Sequence, residues 1–448
     1  MKKILIANRG EIAVRIIRAC REMGIRTVAV FSGADRNALH AKLADEAICI
    51  GPAPSDKSYL DMESILSAAF VSGADAIHPG FGFLSENSRF VSLCEQCNIT
   101  FIGPPAEIID RLGDKQAARN TMMAAGVPVI PGTRQAILDT KTGAEEAAKI
   151  GYPVMIKAAL GGGGKGMRSA FGPEEFEHQF LTAQREALKA FGDGTMYIEK
   201  LIQKPRHIEV QILADKYGNV VHLGERDCSI QRNHQKLIEE SPGVGISDEL
   251  RIKMGETAVR AARAAGYVNA GTIEFLLDKS GEFYFMEMNT RIQVEHPVTE
   301  WVTGVDLVKE QIRVAAGEKL AFSQEDILIK GHAIECRINA ENPDKGFMPC
   351  PGTITALHLP GGKGIRIDSA MYSGCEIPPY YDSMIAKLIV WGKTRDEAIR
   401  KMKSALDEVI IEGVCTNVDY QYDILDHPDF AAGKTDIEFI ERFSREEQ

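Results

Sequence analysis

From Met1 to Pro105 the chain alternates short apolar runs with amphipathic stretches. Ile4-Leu5-Ile6-Ala7 reads as a buried strand. Residues 11–23 then place Ile12, Ile16, Ile17, Cys20 and Met23 on one side of a helix, and Arg15, Arg18 and Glu22 on the other. That is the 3.6-residue period of a helix with one buried face. Residues 27–31, 76–78 and 100–102 repeat the strand pattern, and helices are predicted over 59–71 and 86–97. Strands alternating with helices at this spacing predict a parallel, doubly wound sheet. Such sheets bind ligands beyond the carboxyl ends of their strands, where Asn8-Arg9-Gly10 and His78-Pro79-Gly80 fall.

Gly103-Pro104-Pro105 punctuates the chain, and a helix is predicted over 106–125. From Gly151 the strands lengthen: 153–159, 196–201, 207–214, 220–223, 272–277 and 283–288, interrupted by a helical period over 174–190. A helix over 306–316 and a polar stretch at 323–326 lead to a third region opening at Gly331. That region holds several Gly/Pro turns, a strand over 384–390 and a helix over 395–409. The pattern is α/β, then α+β, then a smaller α+β part, with no internal repeat.

Composition narrows the class. At about 100–200 residues per domain, 448 residues allow two to four domains, and 44% apolar with 26% charged residues excludes a disordered or collagenous chain. Fifty-two Lys+Arg against 63 Asp+Glu give a net charge of −11, which argues against a nucleic-acid partner. No stretch approaches the ~18 apolar residues of a membrane span, and the four apolar residues after Met1-Lys2-Lys3 are too few for a secretory signal. Nine scattered cysteines read as free thiols in a reducing compartment. The lone Cys94-Glu95-Gln96-Cys97 lacks the second pair a structural zinc needs. The expectation is a soluble, cytoplasmic protein.

The glycine run Gly161-Gly162-Gly163-Gly164-Lys165-Gly166 is the loudest local signal. Met167 stands where a P-loop carries Lys, and no helix follows directly, so neither phosphate fingerprint fits. Because 167–170 looks extended, the run is predicted to join two strands as a flap of bare amides able to fold over phosphates, with Lys157 supplying charge. A second constellation is Gly271–Leu277, the turn Asp278-Lys279-Ser280-Gly281, and 282–289. With Leu277 opposite Glu282, Tyr284, Met286 and Met288 share the core face of Ile273, Phe275 and Leu277. Glu274, Glu287 and Asn289 then share the other face, with the two carboxylates about 7–8 Å apart as diagonal neighbours. Carboxylate and amide oxygens in that arrangement suit Mg²⁺ or Mn²⁺. Arg291, Gln293 and Glu295 fall on one side of the next, extended segment, where they fit a small oxyanion beside a base as well as they fit a structural salt-bridge network. The polar runs 225–236 and 335–341 read in isolation as solvated faces, and His207 as a satisfied strand histidine.

Taken together, Ile6-Ala7-Asn8-Arg9-Gly10-Glu11-Ile12-Ala13, His78-Pro79-Gly80-Phe81-Gly82-Phe83-Leu84-Ser85-Glu86-Asn87, the glycine run, Glu225-Arg226-Asp227-Cys228-Ser229-Ile230-Gln231-Arg232, the string from Glu287 to His296 and Glu335-Cys336-Arg337-Ile338-Asn339-Ala340-Glu341 resemble biotin carboxylase, over nearly the whole chain. The resemblance implies an N-terminal doubly wound domain over 1–114, an ATP-grasp domain over 115–330 with a mobile lid at about 130–203 that excludes water, and an α+β C-terminal domain over 331–448. It implies that Lys115, Lys157, Gly163, Gly164, His207, Gln231 and His234 hold ATP, with Glu199, Lys200, Leu201 and Ile202 on the adenine edge. Glu274, Glu287 and Asn289 would hold two Mg²⁺ or Mn²⁺ ions. Lys236, Arg291, Gln293 and the Val294 backbone would hold bicarbonate, Glu295 would take its proton, and Arg337 would stabilise the biotin enolate. A working glutamate base does best nearer neutrality, so partial burial raising the Glu295 pKa is expected. Phe81 stands where the family carries Tyr, and Lys165 where Arg is common. Lys401-Met402-Lys403 lacks a biotinyl-lysine context, so biotin is expected on a separate carrier protein, alongside carboxyltransferase subunits and a homodimeric partner. Acetyl-CoA carboxylase is the expected parent, and a pyruvate or propionyl-CoA carboxylase the alternative. Other ATP-grasp ligases, a nicotinamide-dependent dehydrogenase and a non-catalytic scaffold are the rival classes; the missing GxGxxG counts against the dehydrogenase.

Overall fold

The computed structural model describes residues 1–133, 135–159 and 166–446. Chain contacts divide it into two compact units: Met1–Val127 with Arg206–Phe275 and Glu287–Gln448, and Pro128–Pro205 with Leu276–Met286.

The larger unit opens with a five-stranded parallel sheet in the order Glu46–Gly51, Arg26–Ser32, Lys3–Ile6, Ala76–His78, Thr100–Phe101. Helix Gly10–Glu22 packs on it through Ile12, Ile16, Ile17 and Cys20, all buried as the period requires. The strand Glu46–Gly51, built on Ala47-Ile48-Cys49-Ile50, and the short helix Leu39–Leu43 are additions to the predicted elements. Strand order reverses between Lys3–Ile6 and Ala76–His78, so the loops after these two strands meet at the sheet's switch point. Asn8 ties them, donating from Nδ2 to the carbonyls of Pro79 and Phe81 at 2.7 Å each. Gly80 sits at φ +63°, where a Cβ would lie 3.0 Å from Asn8 Nδ2, so a side chain there would break the tie. The helix predicted over 106–125 is two helices, Ala106–Gly113 and Lys115–Ala124, because Asp114 accepts from the Ala117 amide as an N-cap and restarts the turn.

Most of an eight-stranded sheet also belongs to this unit, ordered Phe283–Asn289, Asn269–Leu277, Arg206–Ala214, Val220–Arg232, Gln235–Ser241, His332–Asn339, Met384–Gly392, Ile365–Ser369, with the hairpin residues Leu276–Met286 grouped in the smaller unit. From Arg206–Ala214 onward its neighbours are antiparallel. The strand foreseen at 220–223 runs on to Arg232, carrying the polar run that had read as solvated. One face of the sheet's far end rests on helices Arg395–Glu408 and Val418–Asp426 through Ile334, Leu388, Met402 and Ile424.

The smaller unit is a three-stranded antiparallel sheet, Met167–Ala170, Val154–Ala158, Met196–Lys200, as the flap reading required. Helices Thr140–Ile150 and Pro173–Phe191 belong to it. Phe176 and Phe180 lie fully buried among Val154, Ile156 and Ile198, each burial contributing about 1.5–3 kcal/mol. Gly163 and Gly164, with the rest of 160–165, lie outside the described residues.

Candidate active site

Seven adjacent strands of the eight-stranded sheet carry charged side chains that the fold buries. Arg226 lies opposite Glu209 in register and is fully buried. Its five N–H bonds are all used: Nε to Glu209 at 2.5 Å, Nη1 to Gln211 at 2.8 Å and Thr299 at 2.9 Å, Nη2 to Thr272 at 3.2 Å and Gln293 at 2.8 Å. Thr299 comes from helix His296–Thr303. Residues 225–230 and most of 335–341 are therefore interior, with Glu225, Asp227 and Glu335 also buried, while the turn 233–235 is exposed. The Arg226 charge survives there because each of its donors meets an acceptor, whereas burial pushes the Glu335 carboxyl well above its ordinary pKa.

Lys236 is the hub. Its three ammonium protons reach Glu209 at 2.7 Å, Glu274 at 3.2 Å and Glu295 at 2.5 Å. The other Glu295 oxygen accepts from Arg337 Nη2 at 3.0 Å, and Arg337 Nε donates to Glu239 at 2.6 Å. Burial opposes ionisation of Glu295, yet Lys236, then Arg337 and Arg226, outweigh it and hold the carboxyl well below the usual range. This reverses the expectation of a pKa lifted towards neutrality: the residue is more deeply buried than foreseen, but between two cations. Glu239, by contrast, is raised to about 7 by burial, which its single strong partner Arg337 does not overcome.

The segment after Asn289 is not an extended strand. It is a loop that turns into helix His296–Thr303, with Glu295 at the N-cap position. Gln293 points inward, accepting from Arg226 and donating to Glu274 at 2.8 Å. Arg291 faces elsewhere, with Nε on Glu86 at 2.9 Å and Nη2 on Asn289 Oδ1 at 3.0 Å. The Val294 carbonyl accepts from Lys387 Nζ at 2.8 Å. Lys236, Arg291, Val294 and Arg337 line one cavity of about 550 Å³, together with Phe81 and Asn8 from the switch point.

The hairpin differs from its predicted register. The Asp278 amide donates to the Glu282 carbonyl at 2.8 Å and the Gly281 amide to Asp278 at 3.2 Å, with Gly281 at φ +87°. Asp278, not Leu277, thus faces Glu282, a one-residue shift that exchanges faces. Phe283 and Phe285 are buried, whereas Met286, assigned to the core, is 42% exposed. Alternation lapses at the consecutive exposed residues Met286 and Glu287, and Asn289 returns to Glu274, donating to its Oε1 at 2.9 Å.

Glu274 also lies 3.0 Å from His207 Nε2, and the donor atoms of His207, Glu209 and Glu274 fall within 4.8 Å of one another. Burial opposes the charge on Glu274, but Lys236 and His207 hold it far below its ordinary pKa. Glu287 is not in that close group. Its side chain is exposed, yet crowding by protein and then the charge of Glu274 push its pKa up, while Lys115 pulls it down. The Glu274 charge disfavours ionisation of Glu287, and a hard divalent cation between the two carboxylates would remove that repulsion, with the Asn289 amide oxygen available to it once released from Arg291.

Lys115 is exposed in the first turn of its helix. Gln231 lies opposite Lys236 in register. Asn233 and His234, both with positive φ, form the turn between Arg232 and Gln235, and His234 is exposed. In the smaller unit Lys157 pairs with Glu199 on the neighbouring strand. The amides of Lys200 and Leu201 donate to Pro131 and Pro153 at 2.7 and 3.0 Å. Sequence reasoning missed Glu209, Glu239, Arg226 and Lys387 as members of the site. The alternation His207, Glu209, Gln211 along one strand was the available signal for the first of them.

A parallel sheet with its switch-point loops, a long antiparallel sheet with paired acidic residues, and a strand-joining glycine run define an ATP-grasp ligase. Family models agree along the chain: "Biotin carboxylase, N-terminal domain" matches residues 1–109, "Carbamoyl-phosphate synthase L chain, ATP binding domain" matches 114–323, and "Biotin carboxylase C-terminal domain" matches 335–442. The chain is 58% identical to the biotin carboxylase of Nostoc sp. over 99% of both chains. It is 56% identical to a pyruvate carboxylase subunit from Methanothermobacter thermautotrophicus, over 99% of this chain and 90% of that one. The biotin carboxylase domain dimer of Hydrogenobacter thermophilus 2-oxoglutarate carboxylase, solved with MgADP, ADP and bicarbonate, superposes with a TM-score of 0.88 at 52% identity, covering 98% and 97% of the two chains. The chain belongs to the biotin carboxylase family, whose activity is the ATP-dependent carboxylation of biotin. Among the described residues no helix is long and apolar enough to cross a membrane.

Proposed function

We propose that bicarbonate and the ureido ring of biotin meet in the cavity edged by Lys236, Arg291 and Arg337. The observation that carries this reading is Glu295, gripped by the two cations that line that cavity. Lys236, Arg291, Gln293 and the Val294 amide bind bicarbonate, and Glu295 accepts its proton. Held ionised in the ligand-free site, Glu295 is a ready acceptor. An anion drawing Lys236 away brings a like charge beside it, which raises its proton affinity at the moment the proton must move. Deprotonated bicarbonate, aligned by Arg291, attacks the γ-phosphoryl group of ATP, the bond to ADP breaks and carboxyphosphate forms; its breakdown gives CO₂ and phosphate, and the phosphate takes the ureido proton of biotin. Arg337, fixed by Glu239, then faces the oxyanion that develops on biotin.

In the larger unit Lys115, His207, Gln231 and His234 are assigned to the nucleotide. Two Mg²⁺ or Mn²⁺ ions, held by Glu274, Glu287 and Asn289, would neutralise phosphate charge. In the smaller unit, taken by itself, Lys157, Gly163 and Gly164 are assigned to phosphates and Glu199 to Ile202 to the adenine edge. With the Lys200 and Leu201 amides occupied, the Ile202 amide is the donor. Biotin arrives on a carrier protein, and the product passes to a carboxyltransferase, in the cytoplasm and from a homodimer. Acetyl-CoA carboxylase is the parent this reading favours and pyruvate carboxylase the alternative; adding each carboxyltransferase with its carrier and acceptor, and measuring malonyl-CoA or oxaloacetate, separates them.

The roles are tested by two substitutions. Arg337→Ala should lower biotin carboxylation by about 10²–10³-fold, the cost of one oxyanion donor, while some bicarbonate-dependent ATP hydrolysis persists; equal loss of both overturns the division of roles. Glu287→Gln should abolish ATP turnover, and near-normal turnover in saturating Mg²⁺ removes the metal assignment.

A further inference from the structure

All nine cysteines are free thiols. Two of them, 65 positions apart, are brought into contact. The Cys415 amide donates to Cys350 Sγ at 3.1 Å, and Asn342 Nδ2 donates to Cys415 Sγ at 3.8 Å. The flanking backbone holds them there. Thr355 donates to the Glu412 carbonyl at 2.8 Å, and Ala356 pairs with Glu412 in an antiparallel ladder. Cys415 is exposed and Cys350 half-buried, so an oxidant in solution reaches the pair. Cys49 makes an internal comparison. It is equally open to solvent, but its thiol faces only the Gly51 carbonyl, at 3.7 Å.

We propose that Cys350 and Cys415 are a dithiol site that a hydroperoxide-class oxidant converts reversibly into a disulfide. The Cys415 thiolate attacks one peroxide oxygen. The O–O bond breaks, the departing oxygen takes a proton to leave as water from hydrogen peroxide or as the alcohol from an organic hydroperoxide, and the sulfur is oxidised to a sulfenic acid. Cys350 sulfur then attacks that sulfur: an S–S bond forms, the S–O bond breaks, and the oxygen leaves as water with the Cys350 proton. A dithiol reductant restores both thiols by exchange. Because Cys350 pushes the Cys415 thiol pKa upward, closure should quicken as pH rises and the thiolate fraction grows.

The position of the pair gives closure a consequence. The Cys350 amide donates to the Ala340 carbonyl at 2.8 Å. Two residues beyond Cys415, Asn417 donates from Nδ2 to the Arg337 carbonyl at 3.0 Å and accepts from the Asn339 amide at 2.8 Å. The bridge would tie together the two segments that hold the end of the Arg337 strand.

The experiment treats the reduced full-length protein with a small molar excess of hydrogen peroxide, blocks remaining thiols and digests without reduction. The expected result is a Cys350–Cys415 linked peptide lacking two hydrogens, abolished by dithiothreitol, with Cys49 unbridged. Cys350→Ser should leave Cys415 at the sulfenic or sulfinic stage, and Cys415→Ser should leave Cys350 alkylated. Recovery of wild-type Cys415 as sulfinic or sulfonic acid with Cys350 still alkylated overturns the proposal, as does recovery of both residues alkylated.

Discussion

The smaller unit and the central sheet use the same residue types under opposite conditions. Lys157 and Glu199 pair with side chains 37% and 24% exposed, whereas Arg226 and Glu209 pair with both at 0%. A pair in water contributes about 0–1 kcal/mol and opens easily. A buried pair adds little net stability against an apolar isostere, but removing one partner strands the other without water or counter-charge. The first arrangement suits a site that exchanges its partner for a ligand. The second suits a scaffold that must hold Glu274, Gln293 and Glu295 in fixed orientation while substrates come and go.

Three measurements probe that contrast, starting with the largest effect. Arg226→Met leaves Glu209, Gln211, Thr272, Gln293 and Thr299 without their donor and should cost about 3–5 kcal/mol, read as a lower urea midpoint, with biotin carboxylation lost. A change under about 1 kcal/mol would mean the network is no scaffold. The second effect is acid sensitivity. Glu240, bonded to Arg395 at 2.7 Å and His332 at 2.7 Å, is buried, which opposes its charge, but these partners lower its pKa from 4.5 to about 2. A depressed acid stabilises the fold fully above its unfolded pKa and ceases to do so as pH falls through the folded one. Stability should therefore decline between about pH 4.5 and about pH 2, and Glu240→Gln should shrink that decline in urea titrations across the window; an unchanged acid limb would exclude Glu240 as its source. The smallest effect belongs to Lys157→Met, which should alter the urea midpoint by less than about 1 kcal/mol and raise the KM for ATP. A large stability loss with unchanged KM would place Lys157 with the scaffold instead.

Much of this was legible beforehand. The helix on Ile12, Ile16 and Ile17, the parallel strands and the strand-joining glycine run follow from local period and turn chemistry, which neighbouring residues decide. The polar run from Glu225 to Lys236 misled for a physical reason: hydrophobicity marks it as surface. Only partners supplied by the strands Arg206–Ala214 and Asn269–Leu277, the loop carrying Gln293 and Glu295, and helix His296–Thr303 make the burial of Arg226 and Lys236 tolerable. The hairpin misled because a glycine at positive φ absorbed one extra residue, and a one-residue slip moves Phe283, Phe285 and Met286 to opposite faces.

Residue types and their spacing were enough to order the elements along the chain and to suggest a divalent cation at the hairpin and phosphates at the glycine run, while the bicarbonate and biotin roles came from the family resemblance. The ionisation of Glu295 was decided elsewhere. It depends on Lys236 and Arg337, residues 59 and 42 positions away, and Coulomb interactions follow distance through space, which the chain acquires only by folding.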